Sequence, residues 1–140
     1  TTTSFSIGVD YGTNSVRAVV VDTASGLEIA AATHPYHHGT DGVILDDRDP
    51  NLARQHPADY LDGFHHAVAN AVALASQHPH FRPERVVGIG VDTTGSTPIP
   101  VDRQGTPLAL HPQFANNPHA LAWLWKDHTA HQEAADISRL

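Results

Sequence analysis

Apolar residues recur at every second position near the start of the chain. Phe5, Ile7 and Val9 alternate with small residues, residues 16–21 form a β-branched run closed by Asp22, and residues 27–33 follow a Thr23-Ala24-Ser25-Gly26 turn. This pattern predicts three strands joined by short turns, an antiparallel meander. Residues 34–56 are polar and rich in Pro, Gly and Asp, which predicts an ordered loop. Pro57 suits a first helical turn, and Tyr60, Leu61, Phe64, Ala67, Val68, Ala71, Val72 and Ala75 behind it fall at helical spacing. Pro79 and Pro83 end that helix. Residues 86–91 (Val-Val-Gly-Ile-Gly-Val) are almost wholly apolar, as in a parallel strand buried on both faces, with the helix as a right-handed crossover. Residues 99–102 predict a short strand, 103–105 a turn and 106–110 a return strand, held to a sheet edge by Pro98 and Pro100. Thr129 and Gln132 have capping-box spacing, so a last helix is expected from about Ala130, with no stop signal before Leu140.

Composition narrows the class. The chain has 140 residues, 40 % hydrophobic and 16 % charged, which suits one globular domain with a real core. Net charge is −7 and the eight basic residues are scattered, against the clustered basic face that nucleic acid requires. There is no cysteine, hence neither a disulfide framework nor thiolate chemistry. No apolar run is long enough to span a membrane. The start, Thr1-Thr2-Thr3-Ser4, lacks the basic and apolar regions of a signal peptide, so a cytoplasmic location is the default expectation. Methionine is absent even at the first position, which suggests a trimmed or excised piece.

The most informative stretch is Asp10-Tyr11-Gly12-Thr13-Asn14-Ser15-Val16-Arg17. An acid ends one strand and a glycine turn leads straight into the next. Such a turn can aim backbone N–H groups at an anion, with Thr13, Asn14 and Ser15 as short donors and Arg17 as nearby positive charge. Asp10 cannot face phosphate without a Mg²⁺ ion or its water shell between them. The bland alternative is a hairpin in which Asp and Asn only make the turn.

Three further stretches occur in order: residues 86–98, ending Asp92-Thr-Thr-Gly-Ser-Thr-Pro98; then Phe114-Ala-Asn-Asn-Pro118; then Trp125-Lys-Asp-His-Thr129. With the Asp10 turn they resemble the FGGY carbohydrate kinases, from about Phe5 to the end of the chain, and within them the branch acting on a ketopentose such as L-ribulose. The resemblance implies an α/β fold of the actin-like ATPase (ribonuclease H-like) type, a mixed sheet of antiparallel meander and parallel strand with flanking helices. It implies two halves around an ATP cleft and Mg²⁺-dependent transfer of the ATP γ-phosphate to a sugar hydroxyl. Asp10 then belongs to the metal and catalytic electrostatics, through water, and Gly12, Thr13, Asn14, Ser15 and Arg17 lie near the β- and γ-phosphates. Related kinases hold the polyol with an Arg-Glu pair where this chain has Gly95 and Ser96, leaving backbone or the Ser96 hydroxyl for that contact. Trp125 matches the family's substrate-facing tryptophan, with Lys126 and Asp127 beside it. The family's catalytic aspartate and adenine-binding half lie beyond position 140, so residues 1–140 read as an incomplete N-terminal domain whose partners are a sugar and the missing half. A homo-oligomer is expected.

Other features have plainer readings beside the functional ones. The 12 histidines, including His37-His38, His65-His66 and His78-Pro79-His80, are expected to be solvated rather than metal-binding. Asp92 either orients a metal or substrate hydroxyl or caps the turn after its strand. Asp127 either accepts from substrate or caps the last helix, and Lys126 is either a ligand contact or a solvated charge. Trp123 is expected to pack and Trp125 to face the ligand. An actin-like ATPase switch would explain the Asp10 turn but not Trp125 and residues 93–98. Another FGGY sugar or polyol kinase, such as one acting on xylulose, and a binding module without chemistry are further alternatives.

Overall fold

The computed structural model describes residues 3–140, so Thr1 and Thr2 of the signal-peptide reading lie outside the described residues. In order, the elements are β1 (Phe5–Tyr11), β2 (Ser15–Asp22), β3 (Glu28–Pro35), β4 (Ile44–Asp46), β5 (Asp49–Gln55), α1 (Pro57–Ala75), β6 (Val86–Thr93), β7 (Ala122–Trp123) and α2 (His131–Ile137). The span read as one domain divides into two compact units. One joins the chain up to Tyr36 with Tyr60–Thr94, the other joins His37–Asp59 with Gly95–Leu140.

In the first unit the meander forms as expected, and β6 adds to β1 in parallel, giving the order β3-β2-β1-β6. Phe5, Ile7, Val9, Val16, Ala18 and Val20 bury one sheet face against Ala67, Ala71 and Ala75 of α1 and against Phe81. Small helix residues let the helix approach closely. At Gly63 an added Cβ would stand 2.5 Å from Val16 Cγ2, and Val16 is fully buried and β-branched. Gly63→Ala gains helix propensity, but forcing Val16 aside outweighs it, for a net loss of about 1–2 kcal/mol. Denaturant unfolding of the two proteins checks the sign; a stabilised Ala variant would refute the close packing.

Two sequence expectations fail in this unit. Leu61, placed on the apolar helix face, is 56 % exposed. β6 is not buried on both faces: Val87, Ile89 and Val91 are 71, 53 and 60 % exposed. β6 is the sheet's edge strand, and Ile89 and Val91 pair with Ile7 and Val9, on the core side, yet α1 leaves them uncovered.

In the second unit, residues 34–56 contain a hairpin rather than only a loop. β4 and β5 pair antiparallel around a turn in which the Arg48 amide and side chain donate to Asp46. β5 then pairs with β7, Arg54 opposite Trp123 and Gln55 opposite Ala122. That partner is far along the chain, so no local period announces it. The strands expected over 99–102 and 106–110 reduce to one bridge, Val101 to Pro107, around a turn whose amides at Gln104 and Thr106 donate to Asp102. Pro100 and Pro107 lack an N–H, so the ladder cannot extend. α2 starts near Ala130 as expected but ends at Ile137, and its capping box is unused: the Thr129 hydroxyl donates to Asp127, and Gln132 donates to Asp136.

α1 begins on a titratable cap. The Ala58 amide donates to His56 Nδ1 at 3.2 Å, while the His56 ring stacks on His38, which itself meets the buried Asp59 at 2.7 Å. Burial is the largest effect holding His56 below its usual value, the His38 charge adds to it, and Asp59 opposes. The fold prefers neutral His56. Its contribution to stability is therefore complete above the unfolded value of about 6.5 and is lost as pH falls through the lower folded value. His56→Asn keeps a cap without the titration. We expect the denaturant midpoint to drop between pH 7.5 and 5 more in the parent than in this variant; equal drops would remove His56 as a cause.

Candidate functional site

At the end of β1 the chain turns tightly. The Gly12 amide donates to the Ser15 carbonyl at 2.9 Å, the Tyr36 amide to the Asn14 carbonyl at 2.9 Å, and the Thr94 amide to the Tyr11 carbonyl at 3.2 Å. The ends of β1, β3 and β6 are thereby tied to the turn. Gly12, Thr13 and Ser15 are half-buried and Asn14 is exposed. Asp10 and Arg17 are opposite one another across β1 and β2 and form an ion pair, with side chains 40 and 62 % exposed. So open a pair adds little to stability.

Asp92 stands opposite Asp10 on the other side, across β1 and β6, and its carboxylate also accepts from the Thr93 amide at 2.9 Å. Residues paired in neighbouring strands project to one face. Asp10 and Asp92 therefore line one shallow hollow of about 550 Å³, together with Arg17. Gly8 and Gly90, also a register pair, form part of its floor, and nothing stands within 4 Å of where a Gly90 Cβ would be. Like charges across a strand pair repel, and Arg17 offsets only part of that repulsion. Two hard oxygen donors above a glycine floor suit a small divalent cation that keeps part of its water. Among the described residues no three His, Asp or Glu side chains converge to hold a metal by themselves.

The second unit holds the other predicted residues. Gly95 and Ser96 are exposed, and Ser96 has φ +56°, a left-handed conformation uncommon for serine. The segment after them returns to the tryptophans, because the Trp123 amide donates to the Pro98 carbonyl at 3.0 Å. The Asp127 amide donates to the Leu124 carbonyl at 2.8 Å, closing a reverse turn whose central residues are Trp125 and Lys126. Trp125 is 50 % exposed, and the Lys126 ammonium lies 5.2 Å from the centre of its ring. Trp123 points elsewhere: the Arg54 guanidinium stacks 3.4 Å from its ring centre.

Asp127 faces into the protein, with its side chain 5 % exposed. Its Oδ2 accepts from the Ala53 amide at 2.9 Å and Arg54 Nε at 2.7 Å, and its Oδ1 accepts from the Thr129 amide and hydroxyl. Burial alone would raise its pKa, but the Thr129 and Ala53 hydrogen bonds and the Arg54 charge together hold it below the usual carboxylate value. The capping alternative for Asp127 is thus part of what it does, at Thr129 rather than at α2. Arg54, fully buried, had no local signal in the sequence. Asp92 was visible as a strand-end acid, but only the β1–β6 register sets it beside Asp10.

The description of the N-terminal domain of the FGGY family of carbohydrate kinases matches residues 5–139. The chain belongs to this family. FGGY relatives include the ribulokinase of Shouchella clausii, 42 % identical over 140 residues, covering 97 % of this chain and 24 % of its own length. Those of Geobacillus thermodenitrificans and Mycolicibacterium smegmatis are 43 and 42 % identical, covering 91 and 96 % of this chain and 22 and 24 % of their own. The chain spans about a quarter of the length of the curated relatives it matches. Two solved structures share the fold: a xyloylose kinase from Brucella ovis (TM-score 0.69, 24 % identity, 94 % of this chain and 23 % of that one) and a gluconate kinase from Lactobacillus acidophilus (0.72, 16 %, 98 % and 23 %). The mixed sheet of this FGGY chain is thus the actin-like one expected from its sequence. Among its described residues no helix is long and apolar enough to cross a membrane.

Proposed function

We propose that this chain supplies metal, phosphate and sugar contacts to an ATP-dependent kinase that phosphorylates a hydroxyl of a ketopentose, L-ribulose first. It does so together with the remainder of a longer polypeptide that carries the catalytic base and the adenine site. The observation that carries the reading is the Asp10–Asp92 register pair beside Arg17, in a chain of the FGGY family. The sugar is inferred from the curated ribulokinases, about 40 % identical to nearly all of this chain.

Phosphoryl transfer asks for positioning and charge neutralisation more than for covalent work. A Mg²⁺ ion would supply charge neutralisation at the transferring phosphoryl group. Asp10 and Asp92 would hold that ion, and Arg17 orients Asp10 and adds positive charge. The turn of Gly12, Thr13, Asn14 and Ser15 lines the approach of the terminal phosphates. Gly95 and Ser96 meet sugar hydroxyls, and the Trp125 ring covers a sugar C–H face. Lys126 adds a donor beside it. Asp127 serves the sugar indirectly, by holding the turn.

ADP production by the full polypeptide, with and without L-ribulose, tests this. Production that depends on the sugar supports the kinase. Production indifferent to any sugar would replace it with an ATPase switch.

A further inference from the structure

We infer that Arg54 is a positioning residue for the sugar-facing turn, fixing where Trp125 and Lys126 stand; this rests on the sugar-site reading above. Arg54 has no exposed surface, so its charge must be balanced by well-placed partners. All but one of its side-chain partners lie in or beside the turn. Nε donates to Asp127 Oδ2 at 2.7 Å, Nη2 to the Thr129 hydroxyl at 3.3 Å, and the guanidinium plane stacks on Trp123; the exception is the Pro118 carbonyl, 3.4 Å from Nη1.

The neighbouring Ala53 completes the clamp. Its carbonyl accepts from the Leu124 amide at 3.1 Å and its amide donates to Asp127 Oδ2 at 2.9 Å. Two consecutive residues of β5 thus hold the first and last residues of a four-residue turn, and its two central residues project. A buried ion pair often adds little net stability compared with an apolar replacement, so its presence here points to geometry. The planar fork suits this, since one group must meet a carboxylate and a hydroxyl while stacking on a ring. It also covers one face of Trp123, which leaves Trp125 as the half-exposed indole of the two.

The test uses the full polypeptide with Arg54→Met, Arg54→Lys and Thr129→Val. We measure both Michaelis constants, kcat, melting temperature and local hydrogen exchange. Displacing a positioned group by about an ångström is costly, so Arg54→Met should raise the sugar Michaelis constant about tenfold or more. The ATP constant and kcat should stay within about twofold, because the phosphate turn is untouched. Arg54→Lys should recover part of the loss, and Thr129→Val should shift the sugar constant the same way by a few fold. Deuterium uptake should rise over residues 123–129 and not over residues 5–22. If Arg54→Met does not fold, the two milder variants decide. Folded variants with unchanged sugar constants and unchanged uptake over 123–129 would overturn the inference, as would equal rises in both Michaelis constants. If the parent phosphorylates no ketopentose, the kinase reading fails on its own, and hydrogen exchange alone decides whether Arg54 holds the turn.

Discussion

Replacing Asp10 by Ala in the full polypeptide should cut kcat by at least about a hundredfold while moving the sugar Michaelis constant little, since a metal's charge matters most as the phosphoryl group moves. The variant removes one of two carboxylates facing the hollow and leaves Arg17 without its Asp10 partner, so uncompensated positive charge stays beside the proposed metal position. The half-exposed Asp10–Arg17 pair contributes little to folding, so melting should barely change. Steady-state kinetics and a melting curve check both halves. Near-normal turnover would reduce the turn to a structural hairpin. Asp92→Asn should act in the same direction, since the two acids share the hollow.

Replacing Trp125 by Ala should raise the sugar Michaelis constant about ten- to hundredfold, the loss of about 1–3 kcal/mol of contact, and leave ATP affinity unchanged. Trp125 is half exposed, so stability should hold. Trp123→Ala should instead lower the melting temperature, because it removes the stacking surface of a buried guanidinium. A stable Trp125→Ala enzyme with ordinary sugar kinetics would remove Trp125 from the site.

Much of the first unit was legible because its elements follow local periods. The alternation of Phe5, Ile7 and Val9, the run of residues 16–21 and the spacing from Tyr60 to Ala75 each define an element within a few turns or pleats. The pairing of β5 with β7 was not legible, since Arg54 and Trp123 meet only through tertiary structure. The apolar run of β6 correctly announced a parallel strand but not its exposure, because periodicity cannot say what covers a strand. The same divide runs through the site. The Asp10 turn was readable from glycine spacing. That Asp92 stands beside Asp10 depends on strand register, and that Asp127 faces inward depends on a partner 73 residues earlier, Arg54.

Lys126 is the only lysine in this chain, and the turn carries it outward next to Trp125. An amine-directed reagent would therefore place its label, within this segment, on one side chain at the edge of the proposed sugar platform. A fluorophore so attached would sit within energy-transfer range of the Trp125 indole, and a sugar settling on that ring would both shield the amine from the reagent and alter the emission. The geometry that presents the proposed substrate contact would thus also provide an optical reporter of occupancy that needs no ATP.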